Sequence, residues 1–356
     1  MAKHCPNINV TVVDINRRRI DQWKSEHLPI YEPGLYEVVK EARGRNLFFS
    51  TNIAEAIKKA QVIFMSVNTP HKKFGALGGY DLSAYEAVAR SIAKHLEGQT
   101  IVVEKSTVPV RTAERVRQII HFNKKDDSPV QVLSNPEFLA EGTAVRDLEH
   151  PDRILIGSLS SPEGKAAAAA LSGVYCNWVA EEKIIKTGLF SSEMSKLAAN
   201  AFLAQRVSSI NSLSALCEKV GADIYEVSHV VGADHRIGGK FLKASVGFGG
   251  SCFEKDLRGL IYLCDYYGLP DVGEYWRQVI KINDWQKRRF SILIQTKMFN
   301  NLKNKNVCIL GFAFKKDTGD YRASAAISIV KFLVEEGANV FVYDPKVPHV
   351  EINKLF

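Results

Sequence analysis

The sequence contains no pair of cysteines at CxxC spacing. Cys5, Cys176, Cys217, Cys252, Cys264 and Cys308 are scattered along 356 residues, which argues against a disulfide framework and against a zinc or other metal site. The pattern fits a reducing compartment, the cytoplasm. The opening residues MAKHCPNINV lack an apolar signal core, and no run of about 18 apolar residues occurs, so neither secretion nor a membrane span is expected. Despite a formal net charge of +8, the lysines and arginines form no basic block. With no zinc-finger, RNA-recognition or homeodomain pattern either, a nucleic-acid partner is not expected. Glycine is also missing where one fold would need it. Thirteen residues precede Asp14 and none is glycine.

What is present is material for sizeable cores, with 46% hydrophobic and 24% charged residues, and length for two or three domains. Residues 9–14 read as a buried parallel strand ending at Asp14, followed by a helical segment with Arg17, Arg18 and Arg19. An acidic residue at such a strand end accepts ribose hydroxyls in dinucleotide-binding units, or else caps a turn. Strands are then expected at 61–67, 100–104, 130–134 and 152–157. Helices are expected at 81–95, 111–121 and 162–171, the alternation of a doubly wound α/β sheet. The strand at 152–157 and the helix after it read as the last layer of this domain. Two strands run into polar turns, Val67-Asn68-Thr69-Pro70 and Lys105-Ser106-Thr107-Val108-Pro109. At the carboxyl ends of strands these turns should face a ligand.

The segment SNPEFLAEG spaces Glu137 and Glu141 four residues apart, on one face if it is helical. Glu137 fits a general base, and both residues equally fit an acidic helix start. Residues 191–220 form the longest helical pattern, about 30 residues and roughly 45 Å, with Lys196 and Asn200 on one face. Within FLKASVGFGGSCFEKD, Cys252 follows a dense run of glycines, and nearby Lys255 favours a thiolate. The same pattern fits an inert cysteine buried on a tight turn. Helices follow at 257–267 and 273–298. A second α/β unit then opens with strands at 306–310 and 339–343 around a helix at 323–336, and two strands alone do not make a covered sheet.

Read together, YEPGL (31–35), SVNTP (66–70), EKSTVPV (104–110), SNPEFLAEGTA (134–144), SKLAANAFLAQR (195–206), FLKASVGFGGSCFEKD (241–256) and GFAFKKDTGD (311–320) resemble the UDP-glucose/GDP-mannose dehydrogenase family, especially the animal UDP-glucose 6-dehydrogenases. The resemblance implies a Rossmann-like NAD domain at 1–187, a helical central domain at 188–300 carrying the cysteine loop, and the beginning of a UDP-sugar domain at 301–356. It implies oxidation of UDP-glucose to UDP-glucuronate by two NAD molecules in turn, through a thiohemiacetal and a thioester. Cys252 would be the nucleophile. Lys196 would steady the oxyanion or exchange protons, Asp256 would help a water act as base, and Glu137 would assist hydrolysis.

Cofactor contacts implied by the resemblance are Asp14, Arg19, Val67, Asn68, Thr69, Pro70, Ser106, Thr107, Val108, Glu141, Lys255 and Arg322. Substrate contacts are Phe138, Leu139, Ala140, Glu141, Asn200, Arg236, Lys243, Ser245, Phe248, Gly249, Phe314 and Lys315. The family assembles as dimers and hexamers, so a homo-oligomer is expected. The family's first strand and glycine fingerprint, and most of its nucleotide domain, have no counterpart here, so an inactive subunit joining intact ones is a competing expectation. Another is a relative acting on GDP-mannose or a UDP-N-acetylhexosamine.

Overall fold

A computed structural model describes residues 1–72, 79–125 and 128–356. The chain forms two compact units, one built from Met1–Ala76 and Tyr80–Lys196, the other mainly from Leu197–Phe356.

The first unit opens with β1 (Val10–Val13), α1 (Arg17–Lys24), α2 (Leu35–Ala42) and β2 (Leu47–Ser50). β1 and β2 pair in parallel as a two-stranded sheet. Next come α3 (Ile53–Lys59), β3 (Val62–Met65), α4 (Ser83–His95), β4 (Thr100–Glu104), α5 (Thr112–Asn123), β5 (Val130–Ser134), α6 (Ala144–Glu149), β6 (Ile154–Ser158), α7 (Pro162–Tyr175) and β7 (Ile184–Gly188). Strands β3 to β7 lie in sequence order in a five-stranded sheet. Residues alternate between its faces. Val102 and Val132 enter one core with Ile92, Ala113 and Ile120, while Val103 and Leu133 enter another with Ala168, Leu171 and Tyr175. Helices therefore cover both faces, as continuously apolar strands require.

Three sequence expectations need correction here. The sheet is parallel only in parts, because β5 meets β6 through an antiparallel pairing at Ser134 and Gly157, and β6 and β7 are parallel to each other. The link from β5 to β6 carries only the six-residue α6 and brings the chain back reversed. The 152–157 strand and its helix are not the last layer, since β7 follows as an edge strand. Its polar Lys186-Thr187-Gly188 end hides it from an apolar pattern. The 137–141 segment is not helical. Helix begins only at Ala144, after the amides of Gly142 and Ala144 have bonded the Glu32 carboxylate at 2.8 and 2.6 Å.

Helix α8 (Leu189–Val220) runs unbroken for 32 residues, and the boundary between the units falls within it. The second unit continues with α9 (Ile224–Ala233), α10 (Phe253–Tyr266) and α11 (Pro270–Lys297). Ala201, Ala204, Leu257, Leu260, Val279 and Ile280 close a core around Phe248. A parallel pair, β8 (Asn306–Leu310) and β9 (Asn339–Tyr343), follows with α12 (Ala325–Glu335) and α13 (His349–Asn353). Both strands alternate exposed and half-buried residues. One face packs on α12, and Leu310, Phe341 and Tyr343 lie exposed on the other. No described helix is long and apolar enough to cross a membrane.

Candidate active site

In the first unit, the sequence-predicted residues gather on the turns that leave β3, β4 and β5. Thr69 Oγ1 donates to the Thr107 carbonyl at 2.7 Å and Ser106 Oγ to the Val67 carbonyl at 2.7 Å. The two polar turns are thus stitched to each other, which fixes Val67, Asn68, Thr69 and Pro70 against Ser106, Thr107 and Val108. At the end of β1, Asp14 accepts the Asn16 amide at 2.8 Å and pairs with Arg19 at 3.5 Å.

After β5, the Glu137 carboxylate folds back on its own chain and accepts the amides of Phe138 and Leu139 at 2.8 and 3.0 Å. Its other oxygen lies 2.9 Å from the ammonium of Lys105. That ammonium also donates to Asn135 Oδ1 at 3.2 Å, which accepts the Tyr175 hydroxyl at 2.6 Å. Burial works against ionisation of Glu137, but Lys105 and the two amides outweigh it and hold the carboxyl below its ordinary pKa. Glu137 is therefore ionised across the neutral range. Lys105 shows the mirror balance: burial favours the free amine, yet Tyr175 and Glu137 raise its pKa. Lys105 lies inside EKSTVPV but was not singled out as a site residue, because a lysine beside a strand end reads as solvated. The Phe138 ring is bracketed by two cations, with the Arg153 guanidinium 3.9 Å and the Lys196 ammonium 5.2 Å from its centroid. Lys196, 8% exposed, is buried.

In the second unit, Cys252 sits at the N-cap of α10 and is exposed, which rules out the inert buried reading. Its carbonyl accepts the Asp256 amide at 2.9 Å. Asp256 is fully buried. One carboxylate oxygen lies 2.8 Å from Lys255 Nζ, and the other accepts from Asn200 Nδ2 at 2.5 Å. Lys255 is thus paired with the aspartate. The glycine run is seated from beneath. Asn283 accepts the Phe248 amide at 2.7 Å and returns a bond to its carbonyl at 3.0 Å, while Asn211 and Gln286 bond the Ser245 amide and carbonyl, each at 2.7 Å.

Two glycines there are required by space. A Cβ on Gly249 would stand 2.6 Å from the Ala323 carbonyl, and Gly250, at φ +86°, lies against the Phe314 ring with its amide on the Arg322 carbonyl at 2.9 Å. Lys315 lies 5.5 Å from the Phe314 ring centroid. The Arg322 and Arg236 side chains turn outward and pair with Asp320 and Asp234. Lys243 is exposed. The supporting Asn211, Asn283 and Gln286 were missed by sequence reading, since amides inside helical patterns carry no signal of what they hold. Among the described residues, no group of His, Cys, Asp and Glu is placed to hold a metal ion.

Three family models match in order: the NAD-binding domain of the UDP-glucose/GDP-mannose dehydrogenase family at residues 1–179, its central domain at 190–285 and its UDP-binding domain at 308–356. The chain belongs to this family. It is 59% identical to the chicken UDP-glucose 6-dehydrogenase over 99% of its own length and 72% of that protein's. It is 56% identical to the rice UDP-glucose 6-dehydrogenase 4, covering 99% of itself and 74% of the relative. A UDP-glucose dehydrogenase structure from Pyrobaculum islandicum superimposes with a TM-score of 0.90 at 32% identity, over 99% of this chain and 79% of that one. The chain is thus an NAD-dependent oxidoreductase of this family.

Asp14 and the two stitched turns offer hydroxyl, carboxylate and backbone groups at strand ends, chemistry that suits a dinucleotide's ribose. No glycine-rich turn precedes Asp14 in these residues to serve the pyrophosphate.

The pairing of Lys105 with Glu137 makes a prediction with a sign. Because the Glu137 pKa is lowered on folding, its contribution is present above the ordinary carboxylate range and is lost as pH falls through the lowered value. Lys105→Met should cost about 2 kcal/mol at neutral pH, less than the roughly 3–5 kcal/mol of a fully buried broken pair, since both side chains keep some exposure. Thermal unfolding against pH should show that cost shrinking as the medium is acidified. An equal cost at all pH values would contradict the pairing.

Proposed function

We propose that the chain oxidises the primary alcohol of UDP-glucose to the carboxylate of UDP-glucuronate. In balance, the alcohol, two NAD+ and one water give the carboxylate, two NADH and three protons. Bound NAD would supply the hydride acceptor. Asp14 and the turns at 67–70 and 106–108 would orient it, with Arg19, Glu141, Lys255 and Arg322 as further contacts.

The Cys252 thiol is the proposed nucleophile. Its sulfur adds to the aldehyde carbon produced by the first oxidation, giving a thiohemiacetal that keeps the aldehyde from escaping. The second oxidation converts this to a thioester, and water cleaves the C–S bond to release the carboxylate and the thiol. Lys196 is assigned to steadying the oxyanion, Asp256 to supporting a basic water, and Glu137 to guiding the hydrolytic water. Glu137 suits that task as an ionised acceptor rather than as a strong base. The observation that carries the reading is an exposed thiol at the start of α10, four residues before a fully buried aspartate whose two oxygens are held by Lys255 and Asn200. Phe138, Leu139, Ala140, Lys243, Ser245, Phe248, Gly249, Phe314 and Lys315 are the proposed substrate contacts, together with Asn200 and Arg236.

A homo-oligomer is part of the same reading. Phe202, Leu213, Leu216 and Val220 are exposed along α8, and Tyr225 and Val230 along α9. Apolar surface of this kind favours burial against another subunit. Sedimentation of the purified chain should give a dimer or larger species, and a monomer at all concentrations would contradict the assembly. An inactive subunit that joins intact ones remains the competing reading, favoured by the exposed apolar face of β8 and β9.

NADH formation from UDP-glucose and NAD decides between activity and that alternative. The purified chain should form NADH, and Cys252→Ser should abolish net four-electron oxidation. Unchanged turnover in Cys252→Ser would remove the thiol from the chemistry. Absence of turnover in the parent chain, beside an active intact relative, would support the inactive-subunit reading. GDP-mannose and UDP-N-acetylhexosamines assayed in parallel test the sugar.

A further inference from the structure

We propose that Glu104 and Glu193 share one proton, and that this carboxyl–carboxylate clasp fixes the first turns of α8 and makes Glu104 a positioning residue for Lys196. Glu104 is the last residue of β4 and is 1% exposed. Neither of its carboxyl oxygens meets a hydrogen-bond donor among the described residues. Glu104 pairs in register with Ser134, whose hydroxyl bonds that of Ser192, so the next residue of α8, Glu193, itself 2% exposed, reaches the same strand end and faces Glu104. Two facing carboxylates in a dry site repel each other, and a single shared proton turns that repulsion into a charge-assisted hydrogen bond.

The surroundings decide which residue carries the proton. Glu193 accepts the amides of Arg111 and Ala113, at 2.7 and 2.8 Å, at the start of α5. An anion there is favoured by the free amides and by the helix dipole. Glu104 has no such support, so it is the acid and Glu193 the carboxylate. The direction of titration agrees: burial first, and then the Glu193 charge, push the Glu104 pKa well above the ordinary carboxylate range. Tyr85 on α4 faces both carboxyls and stays a neutral phenol, held so by burial and by the negative charge of the pair. The Arg111 side chain turns elsewhere, to Glu114 at 3.0 Å and over the Phe190 ring.

The clasp bears on Lys196 because of helix geometry. Glu193 and Lys196 are three residues apart and share a face of α8. On the preceding residue, Ser192 Oγ bonds Ser134 Oγ at 2.9 Å. The start of α8 is therefore held to the ends of β4 and β5 by polar contacts, and the ammonium of Lys196 is carried to the Phe138 ring. Loss of the shared proton would place two negative charges against each other at this anchor. Because the folded state holds the Glu104 proton more tightly than the unfolded chain does, this stabilisation is complete below the ordinary carboxylate range and is lost as pH rises through the raised value.

Glu104→Gln tests the clasp, since its amide donates to Glu193 without a titrating proton. Difference infrared spectra at neutral pH should show a protonated-carboxyl stretch that Glu104→Gln lacks. Melting midpoints should diverge as pH rises from about 6 to about 9, with the parent losing several degrees more than the variant, and Glu193→Gln should likewise flatten the dependence. Chemical labelling of Lys196 should accelerate several-fold more in the parent than in Glu104→Gln over the same range. Absence of the band, parallel midpoints, or identical labelling would overturn the proposal. None of these readouts depends on turnover.

Discussion

The ion pair between Lys105 and Glu137 is the constraint on which the strand ends of the first unit depend. It sits where β4 and β5 give way to turns, and each partner holds further groups: Lys105 holds Asn135, and Glu137 holds the amides of Phe138 and Leu139. Ionised groups partly withdrawn from water are favoured when paired and bonded. The pairing leaves Glu137 as a fixed anion and sets Phe138 between Arg153 and Lys196. Beside Lys105, Glu104 faces Glu193 of α8 and Tyr85 of α4, and Ser106 stitches the β3 and β4 turns. Three consecutive residues of one motif thus connect the sheet to three different neighbours.

The second unit meets the same problem with amides. Asn200, Asn211, Asn283 and Gln286 project from α8 and α11 and bond Asp256 and the backbone of 245–248. Such bonds hold a glycine-rich loop close to its supports by giving its buried backbone groups partners. One consequence is that Cys252 can stand exposed at a helix start while the residues around it are fixed.

Much of the fold was legible because its strands are short and continuously apolar. The strands at 100–104, 130–134, 306–310 and 339–343 lie where the pattern puts them, and α8 differs by two residues at its start. β2, β7 and α9 were not read from the sequence; β7 buries only Ile184 and α9 buries no residue, so neither carries a core-facing apolar pattern. The supposed shared helical face of Glu137 and Glu141 failed for a local reason. Side-chain oxygens from Glu137 and Glu32 satisfy the amides there, so no helix is needed. The candidate chemical residues were legible through motifs. The groups that hold them, Lys105 and the helix amides, were not, because pairing is a property of the fold.

In the proposed reaction Cys252 holds the sugar covalently and Glu137 frees it. Intact-mass and peptide analysis of the Glu137→Gln chain, quenched after mixing with UDP-glucose and NAD, tests this most directly. One UDP-sugar-derived acyl group per chain is expected on the peptide containing Cys252, released by hydroxylamine. An unmodified Cys252 peptide in a chain that has formed NADH would contradict it.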